Sequence, residues 1–150
     1  MSRRVVLDTG PLGMITNPRA SELNLRCRQW LDALLARDIP VYVPEIADYE
    51  LRRELLRASK SAGLRRLDRT IAELRFLPIT TPVMREAARL WALMRQQGQP
   101  TAADAALDGD VILAALALSA QTTDSSIVVA TTNVGHLARM VPALPWHEID

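Results

Sequence analysis

Cysteine is almost missing: Cys27 stands alone in 150 residues. One cysteine cannot close an intrachain disulfide or build a cysteine zinc site, and it suits a reducing compartment. Aromatic residues make up 4 %, so the core has to be assembled from Leu, Ala, Val and Ile. Lysine is reduced to Lys60 among 18 basic residues. Arginine, the cation suited to bidentate phosphate contact, carries the rest. No apolar run is long enough to cross a bilayer. After the basic Met1-Ser2-Arg3-Arg4 only three apolar residues precede Asp8, too few for a secretory leader. A glycine-rich phosphate loop is missing as well, which argues against a nucleoside-triphosphate enzyme. Internal repeats, linkers and low-complexity tracts are missing too. What remains is one domain, hydrophobic at 49 % and so able to bury a core without staples, with a cytoplasmic location and no membrane contact expected.

What is present is organised around Val5-Val6-Leu7-Asp8-Thr9-Gly10. Three apolar residues running into a carboxylate and a Thr-Gly-Pro turn predict a strand buried on both faces. Ligands of open α/β sheets sit outside the carboxyl ends of the strands, where Asp8 would stand. A turn cap is its plainer role. Gly10 to Arg19 then reads as a loop. Ser21 caps a helix running to about Ala36, and Ile39–Val43 is a second strand. Pro44 opens a helix through Leu56, Ser59 to Gly63 breaks it, and Leu64 to Leu74 has helical spacing. Phe76–Ile79 predicts an edge strand because of Pro78. Thr81-Pro82 starts a helix ending near Gly98, and Gln99 to Ala106 reads as a loop. Val111–Leu118 is apolar on all sides, hence a buried helix. Ile127–Thr131 is the clearest later strand, and Trp146–Ile149 the candidate last one. Strands alternating with helices predict an α/β fold, a three-layer α/β/α sandwich on a central, mostly parallel sheet. Trp30, Trp91 and Trp146 are expected in the core, and His147 at the surface.

Net charge is only +1, but its distribution is uneven. Arg52 to Arg75 holds eight basic residues and three acids, whereas Pro100 to Asp150 holds six acids and one arginine. That asymmetry suits a protein that grips a polyanion and holds metal with acids; a solvated helix face explains it equally. Four positions fall at strand ends or on helices that the topology brings to one sheet edge: Asp8, Glu50, Asp110 in a first helical turn, and Asn133. Clustered carboxylates need a cation to offset their repulsion, and hard oxygen ligands point to Mg²⁺ or Mn²⁺.

The stretches Val5-Val6-Leu7-Asp8, Tyr49-Glu50-Leu51-Arg52, Leu107-Asp108-Gly109-Asp110-Val111-Ile112-Leu113-Ala114-Ala115 and Ala130-Thr131-Thr132-Asn133 resemble the PIN-domain family, over nearly the whole chain. Within it the chain is most similar to the small VapC-like toxin ribonucleases. The resemblance implies a metal-dependent endoribonuclease, with Asp8, Glu50 and Asp110 as the catalytic, metal-holding acids. Asn133 stands where many members carry a fourth acid. Asp108 is a helix cap or a further ligand, and Asp104 also crowds the site, although Gly109 argues against one helix joining them. Thr9, Arg52, Arg53, Thr132 and His136 are the candidate substrate contacts; His136 and the Arg52, Arg53, Arg57 group have packing or partner-binding readings as well. Glu50 with Arg53 and Glu54 with Arg57 also read as helix surface pairs. The implied partners are RNA, an antitoxin and a second copy of the chain in a homodimer. A PIN-like module that binds RNA or protein without cutting is the alternative, kept alive by Asn133. Asp8-Thr9-Gly10 is also the triplet of aspartic proteases, but those are all-β. A phosphoacceptor receiver domain would need a late-strand lysine that Lys60 does not supply.

Overall fold

Val5, Val6 and Leu7 have no exposed surface, as a strand covered on both faces requires. The computed structural model describes residues 2–97, 104–135 and 137–150, and of residues 104–106 the backbone alone. In it these residues end β1 (Ser2–Leu7), followed by α1 (Thr9–Thr16), α2 (Glu22–Ala36), β2 (Val41–Pro44), α3 (Glu45–Arg57), α4 (Ser61–Glu73), β3 (Arg75–Leu77), α5 (Thr81–Gln96), α6 (Asp104–Ser119), β4 (Ser125–Thr131) and β5 (Ala143–Pro145). The sheet runs in the order β3-β2-β1-β4-β5, and every pairing between these strands is parallel.

Strand alternation divides the core in two. Val6, Tyr42, Ile127 and Val129 pack with Leu90 and Met94 of α5 and Val111 and Leu116 of α6. Val5, Leu7, Val41, Val43, Val128 and Ala130 pack with Leu12 of α1, Cys27 and Leu34 of α2 and Leu67 of α4. The result is the expected α/β/α sandwich. Each fully buried Val or Leu is worth about 1.5–3 kcal/mol. The ion pairs of Arg52, Arg57 and Arg89 lie at partly or largely exposed side chains and are worth about 0–1 kcal/mol each. Apolar packing therefore decides stability. No helix among the described residues is long and apolar enough to cross a membrane.

Several boundaries differ from the sequence expectations. Gly10 to Arg19 is not all loop, because α1 occupies Thr9–Thr16. Pro11 is its third residue, where the missing N–H belongs to the four that have no intrahelical acceptor anyway. The helix α4 begins at Ser61, inside the expected break, and β3 ends before Pro78. Of the expected loop Gln99–Ala106, the described part, 104–106, is already helix. Asp108 is therefore an interior residue of α6 and no cap, one helix does join it to position 104, and Asp110 sits in the second turn. The last strand is Ala143–Pro145; Trp146–Glu148 is a 3₁₀ turn. Trp91 is 37 % exposed under the Arg95 guanidinium, not in the core.

Candidate active site

The chain adds β1, β2 and β3 outward in one direction and then returns to lay β4 on the other side of β1. That reversal is the point where an open α/β sheet parts its helices and leaves a crevice at the carboxyl ends of the strands. Asp8 follows β1, and Thr131 to Asn133 close β4. Leu7 is in register with Ala130, and the Asp8 N–H donates to the Ala130 carbonyl at 2.9 Å. The next side chains along the two strands meet there.

Both oxygens of the Asp8 carboxylate are fixed. Oδ1 accepts from the Thr9 N–H at 2.7 Å, which makes Asp8 the N-cap of α1. Its turn-capping role and its place at the strand end are thus the same geometry. Oδ2 accepts from the Thr131 hydroxyl at 2.8 Å. Thr131 is fully buried, and its hydroxyl also accepts from the Asn133 N–H at 3.1 Å. Thr9 Oγ1 donates to Glu50 Oε1 at 2.9 Å, so Thr9 ties the two carboxylates together. Both acids are half-buried. Glu50 is thus committed to Thr9, while Arg53 lies over the exposed Tyr49 ring at 5.0 Å.

Two glycines make the closeness possible. A Cβ on Gly109 would lie 3.0 Å from Glu50 Oε2, and one on Gly10 would lie 2.7 Å from the Thr132 side chain. Gly109 therefore brings α3 against α6 one residue before Asp110, which is half-buried. Asp108 and Asp110 are two residues apart, which sets them about 200° around the helix. Asp108 is exposed and borders a cleft with Met84 and Trp91 instead. Asn133 and Thr132 are exposed; Asn133 closes the turn after β4 with its backbone. His136 and the side chain of Asp104 lie outside the described residues.

Among the described residues no three His, Cys, Asp or Glu side chains gather closely enough to cage a metal ion. The donor set still fits one kind of ion. Mg²⁺ keeps several waters and is held through one or two carboxylates plus substrate phosphates, unlike a closed zinc site. Asp8 and Glu50, joined through Thr9, with Gly109 of α6 packed against Glu50, match that open arrangement.

Two arginines of α3 are engaged with acids. Arg52 pairs with Asp48 at 2.9 Å on its own helix and with Asp68 on α4 at 2.7 Å. Arg57 pairs with Glu54 at 2.9 Å. Burial first, then the neighbouring Arg28 and Arg69, push the Arg66 guanidinium pKa down, a sign of cations crowded between α2 and α4. A groove of about 920 Å³ starts at Thr9 and Gly10 and passes Met14, Leu51 and Leu55 to Lys60. Sequence reasoning missed Thr131 as a site residue, although its place at the end of β4 mirrors that of Asp8 at the end of β1.

The PIN domain family model matches residues 5–138. Among curated proteins none matches the sequence. Solved structures share the fold, among them the following three. VapBC2 from Rickettsia felis, bound to a DNA fragment from its promoter, has a TM-score of 0.70 at 16 % identity over 95 % of this chain and 98 % of that one. DNA-bound VapBC from Salmonella typhimurium gives 0.65 at 22 % over 97 % and 99 %. VapBC-1 from nontypeable Haemophilus influenzae gives 0.62 at 14 % over 96 % and 98 %. The family match spans most of the sandwich and contains Asp8, Glu50, Asp110 and Asn133, and on it the chain belongs to the PIN-domain family.

Proposed function

We propose that the chain is a Mg²⁺- or Mn²⁺-dependent endoribonuclease of the VapC-like kind, the toxin of a toxin–antitoxin pair, acting as a homodimer. The observation that carries this reading is the Asp8–Thr9–Glu50 bridge at the β1/β4 reversal, closed on α6 by Gly109 beside Asp110. Asp8, Glu50 and Asp110 would hold the ion, directly or through water. When bound, a divalent cation supplies positive charge against the scissile phosphate and lowers the pKa of a water for attack on phosphorus. The chain's part is orientation. The Thr9 N–H and the Thr131 hydroxyl stop the Asp8 carboxylate from turning, and the Thr9 hydroxyl does the same for Glu50. Fixed acceptors need no rearrangement when charge develops, which is the source of electrostatic catalysis.

The three solved structures named above are VapBC complexes, two of them with DNA, and this supports an antitoxin partner. The groove of Met14, Leu51 and Leu55 beside Thr9 offers such a partner an apolar floor. A second reading, a module that binds RNA without cutting it, draws on Asn133 in place of a fourth acid.

A panel of structured RNAs incubated with the protein in Mn²⁺, in Mg²⁺ and in EDTA, beside Asp8→Asn, separates the two. Cleavage that needs metal and disappears in Asp8→Asn is the expected outcome. RNA retained on a filter without cleavage under any metal supports the binding module. An RNA panel neither bound nor cut refutes both.

A further inference from the structure

Thr131 has two sides. Its hydroxyl fixes Asp8, and its residue also walls a separate pocket of about 320 Å³ between the start of α2 and the ends of β4 and β5. We propose that this pocket is a nucleotide subsite, taking one base and its phosphate from the RNA strand whose neighbouring phosphate lies at Asp8; the proposal rests on the ribonuclease reading.

The pocket is at the small end of ligand sites. Its walls include Leu23, Pro145 and Trp146, with Arg26 and His147 as the groups that can carry charge. Leu23 is 51 % exposed, an apolar side chain left open at the pocket mouth. Arg26 lies three residues on, so the helix stacks the two side chains on one face. Among the described residues no acidic side chain pairs with Arg26, whereas Arg52, Arg57 and Arg89 all have such partners. Arg26 is one of several described arginines with no acidic partner, and it is the arginine that lines this pocket.

His147 is held ready. Its ring meets Trp146 edge-on at 5.5 Å and 83°, and Trp146 meets Trp30 at 5.7 Å and 64°. Trp30 Nε1 donates to the Ile149 carbonyl at 2.8 Å, which pins the segment carrying His147 to α2. A buried Trp146, backed by the partly buried Trp30, thus presents an exposed imidazole at the carboxyl edge of the sheet. Unstacked RNA bases are recognised by such rings, and their phosphates by arginine. The pocket offers one of each, with an apolar wall, next to the residue that orients Asp8.

The test is the affinity of a short single-stranded RNA, read by fluorescence anisotropy in EDTA so that binding is separate from cleavage. The second probe is the same RNA with one abasic nucleotide beside its mapped cut. His147→Ala is expected to weaken the intact RNA by about tenfold. The abasic probe should cost wild type a similar factor and cost His147→Ala little, because both remove one contact. Arg26→Ala should lower the salt slope of binding by about one, and Arg26→Lys should restore it. Both residues are exposed, so folding is not at stake, and circular dichroism checks it. If wild type cuts RNA while both variants bind as it does, or if the abasic and His147→Ala losses simply add, the subsite is refuted and the nuclease stands. If wild type neither binds nor cuts RNA, the ribonuclease reading fails and takes the subsite with it.

Discussion

Thr131 lies in a motif stretch in which the sequence alone assigns it no role, yet it is the buried hydroxyl that bonds Asp8 Oδ2. Hydrogen bonds to charged groups are worth about 1.5–3 kcal/mol. Thr131→Val keeps the shape and removes the donor to Asp8 Oδ2 and the acceptor for Asn133 N–H. The RNA cleavage rate at saturating substrate is expected to fall by about 10- to 100-fold on that scale, with Thr131→Ser close to wild type. A valine variant as fast as the serine one would show that Asp8 needs no second hydrogen bond. Gly109 gives the opposite kind of test. Alanine is the better helix former by about 1 kcal/mol, but its Cβ would arrive 3.0 Å from Glu50 Oε2. Gly109→Ala is therefore expected to hold or raise the urea midpoint while cleavage falls and the Mn²⁺ needed for half-maximal rate rises. Loss of stability together with activity would mean that the backbone, and not Glu50, gives way. Neither residue was legible as functional in the chain. A glycine inside an apolar helix and a threonine at a strand end are ordinary there, and only the packing of α3 on α6 and the β1/β4 register give them meaning.

At the scale of elements, the inner strands were legible, while the last strand and the short helix were not. The β1 and β4 strands are continuous apolar runs because helices cover both their faces, and that burial signal is independent of anything far away in the chain. The helix α1 carries Gly10, Pro11 and Gly13, which read as a turn. It forms because Asp8 caps it, because Pro11 falls where no N–H is needed, and because Leu12 and Ile15 are buried under the sheet. The pair α3 and α4 shows that part of the basic stretch is engaged in ion pairs with its own helices. Arg52 is 33 % exposed and Asp68 63 %, so the contact is screened, and its measured worth should be about 0.5–1 kcal/mol. Arg52→Ala is expected to lower stability by that much, with RNA affinity nearly unchanged. A double-mutant cycle with Asp68→Asn isolates the pair, and 1 M NaCl should erase most of it. A large loss of RNA affinity with unchanged stability would establish Arg52 as a substrate contact.

For the whole molecule, the sequence singles out candidate acids, since a carboxylate ending a buried strand or entering an apolar helix conflicts with the pattern around it. How Thr9 ties Asp8 to Glu50 was not legible, because the two acids are separated by a long stretch whose fold alone joins them. The packed layer beneath them has its own probe. Cys27 has no exposed surface, and its Sγ approaches the Pro11 carbonyl at 3.8 Å, where α2 lies on α1. Burial pushes its thiol pKa up from 9.0 to about 12, since the thiolate has no partner to replace water. Between those values the unfolded chain loses this proton and the folded chain keeps it. Stability from this group is therefore complete below pH 9 and declines as pH rises towards 12, by at most about 1.4 kcal/mol per pH unit. Other groups titrate there too, but equally in Cys27→Ala, so the difference between the two proteins reports Cys27. Urea unfolding at pH 8 and at pH 10.5 is expected to show a gap that favours wild type at pH 8 and narrows at pH 10.5. At pH 8 the rate of thiol labelling should track global unfolding as urea is added. Rapid labelling of the native protein at pH 8 would mean that α1 lifts from α2 without unfolding. Asp8, as the cap of α1, would then be mobile at the very residue the proposed chemistry requires to be still.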